Sequence, residues 1–233
     1  MTVGLNNEAN RIKWVQNKLA KIPKRSRILD AGAGELKYKK YCSHLEYVAQ
    51  DFGQYEGVGD GKGLQTCKWD QSRLDITSDI TEIPEQDGSF DAIMCIEVFE
   101  HLPQPIKAIH EFSRLLKHEG TLILTAPFCS LTHFAPFHFY SGFNRYFYEK
   151  YLKEYGFEIL EIGHNGNYFE YLGQEIHRIP NILKKYAGKL PNFFDRFVLR
   201  LVLKILERYS HEDQGSEELL CFGYHLLAIK IQQ

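Results

Sequence analysis

The chain has no apolar run near the roughly 20 residues that a membrane-spanning helix requires. Its first residues, Met1 to Glu8, are polar and lack the apolar core of a signal peptide. A spanning helix is excluded, and a cytoplasmic protein, at most peripheral to a membrane, is expected. A strong charge of either sign is also missing. With 28 Lys and Arg against 30 Asp and Glu, the 233 residues carry a net charge of −2, so no global field draws nucleic acid. The five cysteines, Cys42, Cys67, Cys95, Cys129 and Cys221, are odd in number and include no metal-type CxxC pair. They read as reduced thiols, most of them small buried hydrophobes. Internal repeats and low-complexity segments are absent. The length suffices for one α/β domain with an appendage.

What the chain does have begins at Arg27-Ile-Leu-Asp-Ala-Gly-Ala-Gly34, where a β-prone run opens into an acid and two alternate glycines. Asp30 would close a buried strand, and Gly32 and Gly34 permit a tight turn that a ligand can approach closely. A helix-compatible stretch, Glu35 to His44, leads to a second strand, Leu45 to Gln50, ending in Asp51. That acid stands 21 residues beyond Asp30, where it can accept hydrogen bonds from ribose hydroxyls. A third strand around Leu74 to Ile76 leads to Ser78-Asp79-Ile80, a carboxylate and an aliphatic suited to an adenine edge and face. The fourth, Phe90 to Ile96, is nearly all apolar, as expected of a strand buried on both sides. It ends in Glu97-Val98-Phe99-Glu100-His101-Leu102.

This ordered series, over roughly residues 25 to 165, resembles the class I S-adenosylmethionine-dependent methyltransferases of small-molecule, type 11-like character. The resemblance implies that Asp30, Ala31, Gly32 and Gly34 line the methionine end of the cofactor. It implies that Asp51, followed by Phe52, holds the ribose, that Asp79 and Ile80 contact adenine, and that Ile96 and Glu97 complete the cofactor site. Glu35 replaces the family's third motif glycine. Lys37 stands where a dinucleotide fingerprint wants its last glycine, so an NAD enzyme is the poorer fit.

The remaining pattern continues the alternation. Pro103 to Lys117 reads as a helix, Glu119-Gly120 as a turn, Thr121 to Thr125 as the fifth strand, and Tyr146 to Tyr155 as a helix stopped at Gly156. Phe157 to Ile162 reads as the sixth strand and Leu219 to Ile231 supplies the seventh. The expected fold is α/β and Rossmann-like. Its seven-stranded, mostly parallel sheet has an antiparallel last strand and flanking helices, with a helical insertion between strands six and seven. A single domain over 1–233 divides into an N-terminal helix (1–24), a cofactor-binding core (25–165), the basic insertion (166–218) and the last strand (219–231). Within the first part, Asn6 to Ile22 is amphipathic. Simple packing explains it, and the resemblance offers Arg11 as a partner for the cofactor carboxylate. Gly57 to Gly63 reads as a flexible loop.

Between Ile176 and Arg208, eight basic residues face two acidic ones, a local excess of six positive charges that leaves −8 for the rest of the chain. Phe194, Phe197, Val198, Leu201, Val202 and Ile205 repeat at helical spacing, with Arg196, Arg200 and Lys204 on another face. Three readings of this basic amphipathic helix are open. It packs its apolar face on the sheet, it touches a membrane surface or lipid-linked substrate, or it serves as a dimer or lid element. A polynucleotide partner is not expected.

Methyl transfer is an in-line displacement, so the protein must position the acceptor and, for an alcohol, remove its proton. Base candidates are Glu97, Glu100, His101, His133 and His138. His138 is slightly favoured because its apolar neighbours would keep it neutral. The aromatic-rich loop Pro127 to Phe147 would form the acceptor pocket. Glu97-x-x-Glu100-His101 also resembles the metal-binding segment of ubiquinone-pathway and small-RNA terminal 2′-O-methyltransferases. That resemblance implies a divalent ion on Glu97, Glu100 and His101, with His133 or His138 as a further ligand. In metal-free family members the same residues cap a helix or contact cofactor. The expected activity is O-methylation of a small molecule, a sugar, lipid-linked glycan or other hydroxyl acceptor. An N-methyltransferase, or a non-catalytic cofactor-binding protein docking through 176–208, is the alternative, and a homodimer is a further expectation.

Overall fold

The computed structural model describes residues 2–66 and 68–231, so the expectation for Cys67 lies outside the described residues. Five parallel strands and two further ones form a single sheet, in the order β3-β2-β1-β4-β5-β7-β6. These strands are β1 (Arg27–Ala31), β2 (Glu46–Asp51), β3 (Ile76–Thr77), β4 (Phe90–Ile96), β5 (Leu116–Pro127), β6 (Phe157–Asn165) and β7 (Gly223–Lys230). The last of them runs antiparallel to β5, pairing Thr121 with Ile229 through to Pro127 with Gly223. This is the seven-stranded arrangement that the alternation predicts.

The continuous apolar run of β4 is the centre of the core. Phe90, Ala92, Ile93, Met94 and Cys95 are all fully buried, as a strand covered on both faces must be. Each large side chain among them contributes about 1.5–3 kcal/mol relative to exposure. Helix α1 spans Asn7–Leu19, α2 Pro105–Leu115 and α3 Arg145–Glu154. In α2 a proline occupies the first turn, where its missing N–H costs nothing, and Ala108, Ile109, Phe112 and Leu115 form the buried face. Asn144 caps α3 by accepting the Phe147 N–H.

Three local expectations are corrected. Residues 35–44 are not an α-helix: turns lead into one 3-10 turn, Lys39–Tyr41, and Leu36 sits at φ +59°. Two residues of β3 survive, because the Asp75 carboxylate takes the Ala49 N–H at 2.8 Å, a bond that a strand carbonyl would otherwise accept. Glu119-Gly120 is not a turn before the fifth strand, since β5 already starts at Leu116, opposite Phe90. The register then jumps to Ala92 with Thr121, absorbing Lys117 to Gly120 as an irregularity.

The chain divides into two compact units, residues 13–163 with 223–233, and residues 1–12 with 164–222. The second unit holds α4 (Tyr168–Ile182), extended by a wider helical turn over Leu183–Ala187, and α5 (Phe193–His211). Asn192 and Asp195 form a reciprocal capping box at the start of α5. The face of α5 that packs is not the phenylalanine stripe. Leu203 and Leu206 are buried with Val3, against Phe169, Leu172, Ile176 and Val202, while Phe194, Phe197 and Leu201 are 69%, 58% and 50% exposed. A helix that is apolar on two sides offers its core a choice that periodicity cannot resolve. The four described cysteines form no disulfide, and Cys42, Cys95 and Cys221 are buried, as expected. No helix among the described residues is long and apolar enough to cross a membrane.

Candidate active site

Strand order reverses between β1 and β4, the switch point at which an open α/β sheet has a crevice outside its carboxyl ends. A cavity of about 290 Å³ opens there. Its floor comes from the turns after β1 and β4: Gly32, at φ +80°, faces Val98 so closely that a Cβ would lie 2.5 Å from Val98 Cγ2. Only glycine fits that turn. Asp51 closes β2 and is held from two sides. Its Oδ2 accepts the Gly34 N–H and its Oδ1 the Gly53 N–H, both at 3.0 Å. The carboxylate is fixed before any ligand arrives and keeps lone pairs for hydroxyl donors. Phe52, Asp79 and Ile80 share the same wall.

Asp30, Ala31, Gly34 and Ile96 are not among the residues lining the cavity. Asp30 is buried and accepts the Tyr47 hydroxyl at 2.5 Å. Burial pushes its carboxyl up to about 7, against the Tyr47 hydrogen bond and with the help of the Asp51 charge. A carboxyl raised above its unfolded value of 3.8 stabilises the fold fully below that pH and loses the contribution as pH climbs through 7. Asp30→Asn, which cannot ionise, is expected to melt above the wild type at pH 8 by up to about 4 kcal/mol of stability, with the gap closing toward pH 4. Cofactor-free melts at both pH values measure it, and parallel pH dependence of the two proteins would show that Asp30 ionises freely.

The opposite wall is aromatic. Tyr55 stacks on Phe134 with centroids 4.7 Å apart, Trp69 stands edge-on to both, and Phe52 meets Phe137 at 4.9 Å. The 127–147 loop was expected to supply this surface, whereas Tyr55 and Trp69 were missed. They flank the glycine-rich segment 57–63, which the structure places against the aromatic loop. Asp60 donates its N–H to the Ala135 carbonyl, Leu64 and Thr132 bond through their backbones, and a Cβ on Gly59 would lie 2.0 Å from the Ala135 oxygen. The available signal was that aromatics follow directly on the carboxyl end of β2, where loops face the crevice.

Beside this wall the structure assembles Glu100, His101 and His133. His101 lines the cavity and stacks on Phe134 at 5.0 Å. Its Nδ1 lies 2.6 Å from the Phe137 carbonyl, and His133 Nδ1 lies 2.8 Å from the Leu131 carbonyl. A carbonyl only accepts, so each Nδ1 carries a proton, and in the neutral rings each Nε2 is a lone pair. Both Nε2 atoms stand 3.7 Å from Glu100 Oε1. Glu100 is buried, and its Oε2 and His101 Nε2 have no hydrogen-bond partner. Burial moves His101 below the usual histidine value, outweighing the attraction of Glu100. On His133 burial is again the largest single influence, but the nearby Glu100 carboxylate and the Leu131 carbonyl together carry its pKa upward. Burial alone would raise Glu100, yet the two histidines hold it below the usual carboxylate range.

Glu97 does not join this group. At φ +57° it leaves β4 in a left-handed turn, and its Oε1 accepts the Thr125 hydroxyl at 2.8 Å. Between Glu97 and His101 only the 3-10 turn Phe99–His101 forms. Glu97 does line the cavity. His138, the favoured base, is half-buried outside the lining residues, with Nε2 3.2 Å from Ser130 Oγ. Ser130 commits its hydroxyl proton to the Ser141 carbonyl at 2.9 Å, so His138 Nε2 is the donor in that contact.

A glycine turn after the first strand, an acid fixed at the tip of the second and a 3-2-1-4-5-7-6 sheet define the class I S-adenosylmethionine-dependent methyltransferase fold. Residues 29–124 match the family described as Methyltransferase domain. A ubiquinone biosynthesis O-methyltransferase of Xanthomonas oryzae pv. oryzae is 33% identical over 103 residues, 43% of this chain and 42% of the relative. The matched segment thus spans about two-fifths of that relative's length. Among solved structures, a SAM-dependent methyltransferase from Archaeoglobus fulgidus shares the fold with TM-score 0.54 at 17% identity, covering 94% of each chain. Haemonchus contortus phosphoethanolamine N-methyltransferase 2, solved with S-adenosyl-L-methionine, gives TM-score 0.55 at 19% identity over 96% of this chain and 53% of that one.

Proposed function

We propose that this protein is an S-adenosylmethionine-dependent O-methyltransferase whose acceptor is a hydroxyl on a small molecule. The observation that carries the reading is the position of His101, in the wall of the cavity that Gly32 and Asp51 also line and beside the buried Glu100 carboxylate. Bound S-adenosylmethionine supplies an electrophilic methyl group on its sulfonium. Asp51 would hold the ribose, Asp79 and Ile80 would contact the adenine, and Glu97 would complete that side. The aromatic wall of Tyr55, Trp69 and Phe134 orients the acceptor and excludes water. His101 takes the hydroxyl proton, and Glu100 stabilises the imidazolium that results. Such a wall suits the faces of sugars and of planar rings alike. The name of the Xanthomonas relative supports oxygen as the nucleophile. Incubation with labelled cofactor and panels of sugars, lipid-linked glycans, phenols and amines tests the reading: label should enter hydroxyl acceptors, and transfer to amines alone would overturn it.

A specific observation favours a second reading of the same cluster. One ligand atom from each of Glu100, His101 and His133 falls within 4.8 Å of the others, and two of these residues hold buried acceptor atoms without a partner. One carboxylate and two imidazole nitrogens suit a divalent ion of the zinc, manganese or iron class. Such an ion would lower the pKa of an acceptor hydroxyl. If the site holds one, dialysis against chelator should abolish activity and raise the protein's sensitivity to heat, with both restored by the metal. Full activity after verified metal removal would leave the proton-acceptor reading alone.

A further inference from the structure

We propose that the exposed face of α5 is a docking surface for anionic lipid, seating the protein peripherally on a negatively charged membrane. Phe194, Phe197, Val198, Leu201 and Ile205 recur at helical spacing and form one continuous apolar stripe open to solvent, extended by Phe193 at its start and Tyr209 near its end. The opposite side of the helix, through Leu203 and Leu206, already supplies the packing of its own unit. The stripe is therefore surplus to the fold.

Charge decides what covers it. Arg196, Arg200, Lys204 and Arg208 are exposed and repeat every four residues, which places them in a row along one edge of the stripe. The two acids of α5 are engaged elsewhere. Asp195 closes the capping box with Asn192, and Glu207 accepts the Thr2 backbone N–H. Lys184, Lys185 and Lys189, with exposed Tyr186 and Leu190, continue the same composition just before the helix. A second copy seated on the stripe would bring two rows of like charge together. Anionic headgroups instead neutralise the row while the phenylalanines enter the acyl boundary, the arrangement of an interfacial helix. This surface stands independently of the methyl-transfer reading.

Sedimentation of the full chain with vesicles tests it. Vesicles of phosphatidylcholine with 30% phosphatidylglycerol should retain the protein at low salt, and pure phosphatidylcholine should not, the 30% being roughly the order of a natural anionic leaflet. At about 1 kcal/mol per basic residue near the surface, Arg196→Gln, Arg200→Gln and Lys204→Gln combined should lower the partition coefficient on the order of 100-fold. Phe194→Ser with Phe197→Ser should lower it comparably. These residues are exposed, so unchanged melting curves are expected for both variants. Failure of the wild type to bind anionic vesicles, or equal retention on neutral ones, overturns the proposal. So does a dimer in analytical ultracentrifugation that the phenylalanine substitutions dissociate while vesicle binding is absent.

Discussion

Turnover should fall about 100- to 10,000-fold when His101 is replaced by alanine, the range typical of losing a positioned general base. Affinity for S-adenosylmethionine should stay within a few-fold of wild type. His101 does two things that must be separated, because its Nδ1–H also tethers the Phe137 carbonyl and its ring stacks on Phe134. His101→Gln keeps a donor for that tether but supplies no base. If glutamine restores melting temperature and acceptor KM without restoring kcat, the role is chemical; if it restores kcat, His101 only holds the loop. His138→Ala provides the contrast, with kcat expected to stay near wild type because its Nε2 proton is directed at Ser130. A large loss in His138→Ala with none in His101→Ala would return the role to the residue that apolar neighbours first recommended.

Asp51→Ala should weaken cofactor binding about 100- to 10,000-fold, since each hydrogen bond from a hydroxyl to a charged group is worth about 1.5–3 kcal/mol and a ribose offers two. Thermal stability should also fall, because the Gly34 and Gly53 amides both lose their acceptor. Asp51→Asn keeps one acceptor oxygen and should lie between the two. Calorimetric titration of S-adenosylmethionine and its demethylated product into all three proteins measures the effect. Unchanged affinity in a folded Asp51→Ala protein would remove the ribose role and leave Gly32 and Val98 as the surest part of the cofactor site.

The parts of the site legible in sequence were those fixed by neighbours along the chain. Asp51 and Gly32 could be read because a strand end and the turn after it are local objects, with residue types demanded by backbone geometry. The histidine cluster was half legible. Glu100 and His101 stand together in the sequence, but His133 reaches the same carboxylate from a loop 33 residues further on, so the sequence left it level with His138 as the further member. Tyr55 stands close after the end of β2 and could have been read from that place, whereas Trp69 is brought to the cavity only by the way the glycine-rich loop packs. Its contacts with Ala135 and Thr132 are bonds between segments some 70 residues apart.

By itself the sequence determined the strand sequence and the buried identity of β4, because alternation and continuous apolar runs encode burial one element at a time. It likewise determined the acid and glycines of the first two strand ends. The tertiary structure alone decided which histidine meets the cleft, and which of two apolar faces on α5 is packed and which is left to solvent. A helical period specifies that a face is apolar; only the shape of what lies opposite determines whether that face is covered.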